Sequence, residues 1–143
     1  MNDNARATQG AETDENENRN GNGNGNENEN EDRNTPETPI KLDDVADYDD
    51  LLDRHELVLL EFVTSGCGIC ASMEPVLGAV ARSAPGAVAT VNAGYVPDLA
   101  DEFGVRRVPT LVVLKDGDEV ARLDDGFQSA ETVVEVLETH AAA

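Results

Sequence analysis

The sequence predicts an α/β domain, a central mixed β-sheet flanked by helices, behind a disordered N-terminal tail. Three observations predict it. From Ile40 onward, apolar runs of strand length alternate with stretches of helical spacing, in the order β-α-β-α-β-α-β-β-α. Near the end, Lys115-Asp116-Gly117-Asp118 reads as a tight turn of the Asp-Gly type, which joins two strands as an antiparallel hairpin. Between Met1 and Ile40 there is no Val, Ile, Leu, Phe, Tyr or Trp, so that stretch cannot offset its ordering entropy by burial.

The division is therefore residues 1–38, an acidic Asn/Glu/Gly-rich tail, and residues 39–143, the folded domain. Pro36 and Pro39 mark the entry to the domain. The tail reads either as a solvated extension without a site or as a docking or targeting segment.

Ile40 and Leu42 form a short first strand. A helix follows, capped by Asp43 or Asp44, with Val45, Tyr48, Leu51 and Leu52 on one face. His55 falls near its end, where a cationic side chain suits the helix dipole, and reads as structural. Leu57–Val63 is apolar on both faces except for Glu61, as expected for a strand inside the sheet. The next helix carries Met73, Val76, Leu77 and Val80, with Pro75 inside it as a point of kinking, and stops near Ser83-Ala84-Pro85-Gly86. Residues 87–92 read as a second core strand. Val96, Leu99 and Phe103 then recur at helical spacing, with Pro97 in the first turn and Gly104 as the stop. Strands at 110–115 and 119–123 make the hairpin. Asp124–Phe127 is a loop, and Ser129 caps a last helix with Thr132, Val133, Val136 and Leu137 on its stripe. His140 reads as a surface residue.

The chemistry concentrates in Ser65-Gly66-Cys67-Gly68-Ile69-Cys70, which holds both cysteines of the chain. Cys67 stands where a strand hands over to a helix, and Cys67 and Cys70 fall on one helix face. Unpaired N–H groups and the positive dipole end favour a thiolate there, and a Cys so placed can have its pKa lowered from about 8.5 by one to several units. Cys67 is the expected nucleophile, and Cys70, deeper in the helix, would resolve a mixed disulfide. Glycines on either side leave the Cys67 sulfur accessible. The competing readings are half of a zinc site and a pair of inert core cysteines. Zinc usually needs four ligands, and neither His55 nor His140 stands at ligand spacing from the pair.

Glu61 lies close in sequence to the cysteines. A carboxylate buried in a strand is costly, its pKa rises, and it becomes a usable proton carrier near neutral pH. Glu61 reads as the proton acceptor and donor for Cys70, or else as a Glu on a wet face or strand rim.

The net charge of −20 excludes several classes of function. Nucleic-acid binding needs a basic patch, and an anionic membrane surface would repel the chain. No apolar run approaches the roughly 18 residues of a membrane span, and no basic and apolar leader is visible at the N-terminus. A cytoplasmic location is the expectation, and a CxxC pair there suggests redox catalysis. The acidity is not confined to the tail: residues 39–143 hold twenty acidic and seven basic side chains, of which only Lys41 and Lys115 are lysine. An acidic, lysine-poor domain resembles proteins of salt-loving organisms, where salt screens self-repulsion. The alternative is an acidic surface for a basic partner.

Taken in order, Glu61 six residues before Cys67, the CxxC pair, Pro75, Val108-Pro109-Thr110 and Gly126 resemble the thioredoxin family over nearly all of residues 40–141. The resemblance implies the thioredoxin fold, a cis-proline loop at Val108-Pro109 lying against the disulfide and binding substrate peptide, and a groove lined by Gly66, Gly68, Ile69, Val108, Pro109 and Gly126. It implies a monomer that reduces protein disulfides, draws electrons from a thioredoxin-reductase-type donor and needs no metal or organic cofactor. The family's usual motif is Trp-Cys-Gly-Pro-Cys. Here Gly66 stands for the Trp and Ile69 for the Pro, and residues between the cysteines tune the reduction potential. Thr90 stands where the family often has a Lys near the buried acid, and Glu61 is one methylene longer than the usual Asp. A less reducing oxidase or isomerase, and a non-catalytic binding module on the same scaffold, are the alternatives.

Overall fold

The computed structural model describes residues 37–142, and the expected tail lies almost wholly outside them. Five strands and four helices alternate as β1 (Ile40–Leu42), α1 (Val45–Arg54), β2 (Leu57–Val63), α2 (Gly68–Ser83), β3 (Ala87–Asn92), α3 (Pro97–Glu102), β4 (Thr110–Lys115), β5 (Asp118–Leu123) and α4 (Ala130–Ala141). The order matches the sequence reading. The strands form one mixed sheet in the order β1-β3-β2-β4-β5. The pairs β1–β3 and β2–β3 are parallel, while β2–β4 and β4–β5 are antiparallel.

The side-chain alternation of β2 sorts the core into two layers. Val58, Leu60 and Phe62 point to the face covered by α1 and α3, where they meet Tyr48, Leu51 and Leu99. On that face Phe103 packs edge-on to Tyr48 and tilted against Phe62, with ring centroids 6.1 and 5.6 Å apart. Leu57 and Leu59 point to the opposite face and meet Met73, Leu77 and Val80 of α2 and Val133 and Leu137 of α4.

The helix ends follow their capping residues. Asp44 accepts the Asp47 N–H at 2.8 Å and starts α1. Ser129 accepts the Thr132 N–H at 3.2 Å and starts α4. Pro97 occupies the first turn of α3, where its missing N–H costs nothing. In the β4–β5 turn Asp116 and Gly117 both have positive φ, 53° and 86°, as a type I′ turn requires.

Some stripe residues differ from the expectation. Val45 is exposed, whereas Tyr48 and Leu51 are buried and Leu52 packs partly buried against the same core. Thr132 is exposed and accepts the Ser129 hydroxyl instead of packing. The second hairpin strand begins at Asp118, one residue early. His55 caps α1 through its backbone N–H to Leu51, but burial and the neighbouring Arg54 lower its pKa, which weighs against the cationic role expected of it.

Two glycines give a direct test of the chain path. Gly86, before β3, has φ +92°, and a Cβ there would stand 2.7 Å from the Leu57 carbonyl oxygen. Gly104, after α3, has φ +62° with open space around it. Gly104→Ala is expected to cost about 1–2 kcal/mol, the backbone term alone. Gly86→Ala adds a clash with main chain and should cost roughly 2 kcal/mol or more. Urea unfolding of the two variants ranks them, and an equal cost would refute the close approach of Gly86 to β2.

Candidate active site

Strand β2 delivers the chain to the end of the sheet at Val63, and Thr64–Gly66 turn it into α2. Gly66 has φ +77°, a conformation that glycine adopts freely, and the turn sets Cys67 at the cap of α2. The Cys70 N–H lies 3.1 Å from the Cys67 sulfur, and the Ala71 N–H donates to the Cys67 carbonyl at 3.1 Å. The Cys67 sulfur thus meets an otherwise unpaired donor of the helix N-terminus, the environment that favours a thiolate in the reduced protein. Cys67 and Cys70 are joined by a disulfide, with Cα atoms 5.2 Å apart. Cys70 is buried and Cys67 half-buried.

Alternation on β2 also fixes Glu61. It shares the face of Leu57 and Leu59, so its side chain lies on the α2 side of the sheet. A row of paired positions runs across the sheet at its level: Lys41 on β1, Thr90 on β3, Glu61 on β2 and Leu111 on β4. Glu61 is 2% exposed, and its Oε2 has no hydrogen-bond partner. Burial, and secondarily the charge of Glu74, push its pKa up to about 7. The wet-face alternative for Glu61 is thereby ruled out.

Glu61, Cys67 and Cys70 border one open cavity of about 780 Å³. Lys41, Glu74, Thr90, Asn92 and Tyr95 also line it. The loop before Cys67 is tied to the end of β3: Asn92 donates to the Ser65 hydroxyl at 3.3 Å, and Ser65 donates to the Tyr95 hydroxyl at 3.3 Å. The Asn92 side-chain oxygen accepts the Gly94 and Tyr95 N–H groups.

The remaining expected residues sit at the same end of the sheet. The Val108-Pro109 peptide is cis, and Pro109 directly precedes Thr110, which pairs with Phe62 five residues before Cys67. The Thr110 hydroxyl donates to the Arg107 carbonyl at 2.7 Å and closes the Val108-Pro109 loop. Gly126 has φ +99° in the loop between β5 and α4. The Gln128 N–H, 3.4 Å from the Met73 sulfur, brings that loop onto α2. Ile69, Tyr95 and Phe127 are exposed apolar side chains on these segments. Sequence reasoning missed Glu74, Tyr95, Asn92 and Phe127. Only the spacing of Glu74, four residues beyond Cys70 on one helix face, was visible beforehand.

A sheet of this topology with a bonded CxxC pair at the start of α2 defines a thiol–disulfide oxidoreductase, working on protein disulfides through that couple. A family model described as thioredoxin matches residues 39–139, and the chain belongs to the thioredoxin family. Thioredoxin of Chlamydia muridarum is 35% identical over 85 residues, which is 59% of this chain and 82% of that protein. Among solved structures, a mutant thioredoxin from Halobacterium salinarum NRC-1 is 31% identical, with a TM-score of 0.70 over 73% of this chain and 92% of that one. Thioredoxin of Fasciola hepatica is 28% identical, with a TM-score of 0.64 over 71% and 98% of the two chains.

The raised pKa of Glu61 makes stability depend on pH. Between 4.5, its ordinary value, and about 7, the folded chain holds a proton that the unfolded chain has lost. Stability from this group is complete below the lower value, declines as pH rises between the two, and carries the full penalty above the upper one. The penalty is roughly 3 kcal/mol for a group this deeply buried. Compared with Glu61→Gln, the wild-type disulfide form should lose about that much between pH values of about 4 and 8. Parallel urea titrations of the two proteins check it, and identical pH dependence would mean that Glu61 is solvated.

Proposed function

We propose that the chain reduces protein disulfides, with Cys67 as nucleophile, Cys70 as resolving thiol and Glu61 as proton carrier. The observation that carries the reading is the half-buried Cys67 at the cap of α2, bonded to a buried Cys70 beside the cavity that Glu61 lines. In the reduced protein the Cys67 thiolate attacks one sulfur of the substrate disulfide. That S–S bond breaks, the other substrate sulfur leaves with the electron pair, and a mixed disulfide forms. Cys70 gives its proton to the Glu61 carboxylate, directly or through water, and attacks the Cys67 sulfur. The second substrate thiolate leaves, and the Cys67–Cys70 disulfide remains. The substrate has gained two electrons, and the cysteine pair has lost them.

The substrate strand would lie along Val108 and Pro109, with Gly66, Gly68, Ile69 and Gly126 forming the rest of the groove. Backbone groups of the Val108-Pro109 loop, which precedes β4, suit an extended peptide. Ile69, Tyr95 and Phe127 supply apolar contact area in a chain without tryptophan. A dithiol-bearing reductase of the thioredoxin-reductase type returns the electrons. The protein works as a monomer in the cytoplasm, with residues 39–143 as its working domain. Its acidity suits a salt-rich interior, a reading supported by the similarity to the Halobacterium salinarum protein. Among the described residues no helix is long and apolar enough to cross a membrane.

The Ile69 substitution favours one second reading, a less reducing oxidase or isomerase. Equilibration with glutathione buffers in high salt separates the two. A potential near the roughly −270 mV of thioredoxin supports the reductase, and one near the roughly −180 mV of protein disulfide isomerase overturns it in favour of the second reading. In the same preparation Cys67→Ser should abolish turnover of a disulfide-bonded protein, while Cys70→Ser should accumulate the covalent mixed disulfide, visible by mass. Turnover by Cys67→Ser would remove Cys67 from the nucleophile's role.

A further inference from the structure

The cavity beside the disulfide is lined by one acidic group that the mechanism above does not use. Glu74 stands on α2 one helical turn beyond Cys70, so Cys67, Cys70 and Glu74 succeed one another along the same side of the helix. All three line the cavity into which Glu61 is buried. The groups facing Glu61 can be taken element by element. From β4 it meets Leu111 and from β3 Thr90, both uncharged. From β1 comes Lys41, exposed and two strands away, at a Cα separation of about 10 Å by strand spacing. From α2 come Cys67, Cys70, Leu77 and Glu74, and from the loop after β3 comes Tyr95. Glu74 is therefore the one acidic neighbour that lines the cavity with Glu61, and Thr90 places no cation between Glu61 and Lys41.

We propose that Glu74 is a positioning residue that keeps the proton on Glu61, so that near neutral pH the site is loaded to donate a proton to Cys70. This rests on the reading of Glu61 as the proton carrier for Cys70. Its consequence lies in the recharging half of the cycle. A thiolate of the electron donor attacks the Cys67 sulfur and forms a new S–S bond, and the Cys67–Cys70 bond breaks. Cys70 leaves with the electron pair and takes the proton from Glu61. A second donor thiol, as thiolate, then releases Cys67. In the forward direction the same carboxyl must first be ionised, so Glu74 favours recharging at lower pH and substrate reduction at higher pH. Repulsion between the two carboxylates, added to the burial of Glu61, is the physical cause.

The test uses the full chain with its disulfide formed, at one ionic strength, with Glu61 followed by the ¹³Cδ chemical shift. Dithiothreitol serves as the probe donor for the pH profile of disulfide reduction. Glu74 is exposed, so Glu74→Gln and Glu74→Asp should fold. In Glu74→Gln the midpoint of Glu61 is expected to fall by about half a unit or more, and the break in the reduction rate should move with it. Glu74→Asp should retain most of the wild-type midpoint. An unmoved midpoint in Glu74→Gln, or a moved midpoint with an unmoved rate break, overturns the role of Glu74. The underlying reading is tested separately by Glu61→Gln, which should abolish the break. If the break survives that change, Glu61 is not the proton carrier, and the proposal for Glu74 falls with it.

Discussion

The constraint on which this structure depends is the burial of β2 on both faces. A central strand flanked by β3 and β4 and covered by helices on either side has no solvent-facing row. Its alternation then leaves one outcome for Glu61: it must lie in the layer of α2 and α4, among Leu57, Leu59 and Leu111. No other charged residue is buried among those described. The same strand ends four residues before the cap of α2. Fold and site are therefore one arrangement, because the packing that secures β2 also sets a carboxyl beside the cavity bordered by the cysteines.

The helix supplies the other half. Cys67 caps α2 with its sulfur near the Cys70 N–H, which is the role that Ser129 and Asp44 play for α4 and α1. Oxygen caps stabilise a helix and do little else. A sulfur cap does less for stability and more for reactivity, since the helix end that it satisfies also stabilises its anion. The loop holding it is fixed by Ser65, Asn92 and Tyr95 and not by a bulky aromatic before the cysteine, which here is Gly66.

The legible parts of the fold were those governed by local rules. Strand limits at 57–63 and 87–92, a cap at Asp43 or Asp44, the Ser129 cap and the Asp-Gly turn depend on residues adjacent in sequence, and each was readable. Errors fell where tertiary geometry decides. Whether Val45, the first residue of α1, packs depends on how the helix lies against the sheet, which periodicity does not contain. In the site, Cys67, Cys70 and Glu61 were legible because a motif and an out-of-place acid mark them. Glu74 was not, because an exposed Glu on a helix looks like any other until β2 is placed beneath it. Tyr95 and Asn92 join the site only through the parallel pairing of β3 with β2, a long-range fact.

The placement of charge around the cysteines is the last step. From Phe62 to Met73 the chain carries no charged residue, although 28% of its residues are charged, and this neutral run is bracketed by Glu61 and Glu74. A carboxylate beside the Cys67 sulfur would raise the cost of its thiolate, so an acidic protein using such a thiolate must keep its acids away from that position. The neutral run achieves this along the sequence, and the fold completes it in space. Glu61 is turned under α2 by the pleat, and Glu74 lies two turns beyond Cys67. Both line the cavity that the two cysteines border, and neither adjoins the half-buried Cys67 in the chain. The two cysteines thus receive different surroundings from one helix: Cys67 is half-buried at its N-terminus between two glycines, and Cys70 is buried one turn further in. That division suits the nucleophile and resolving roles proposed for the two.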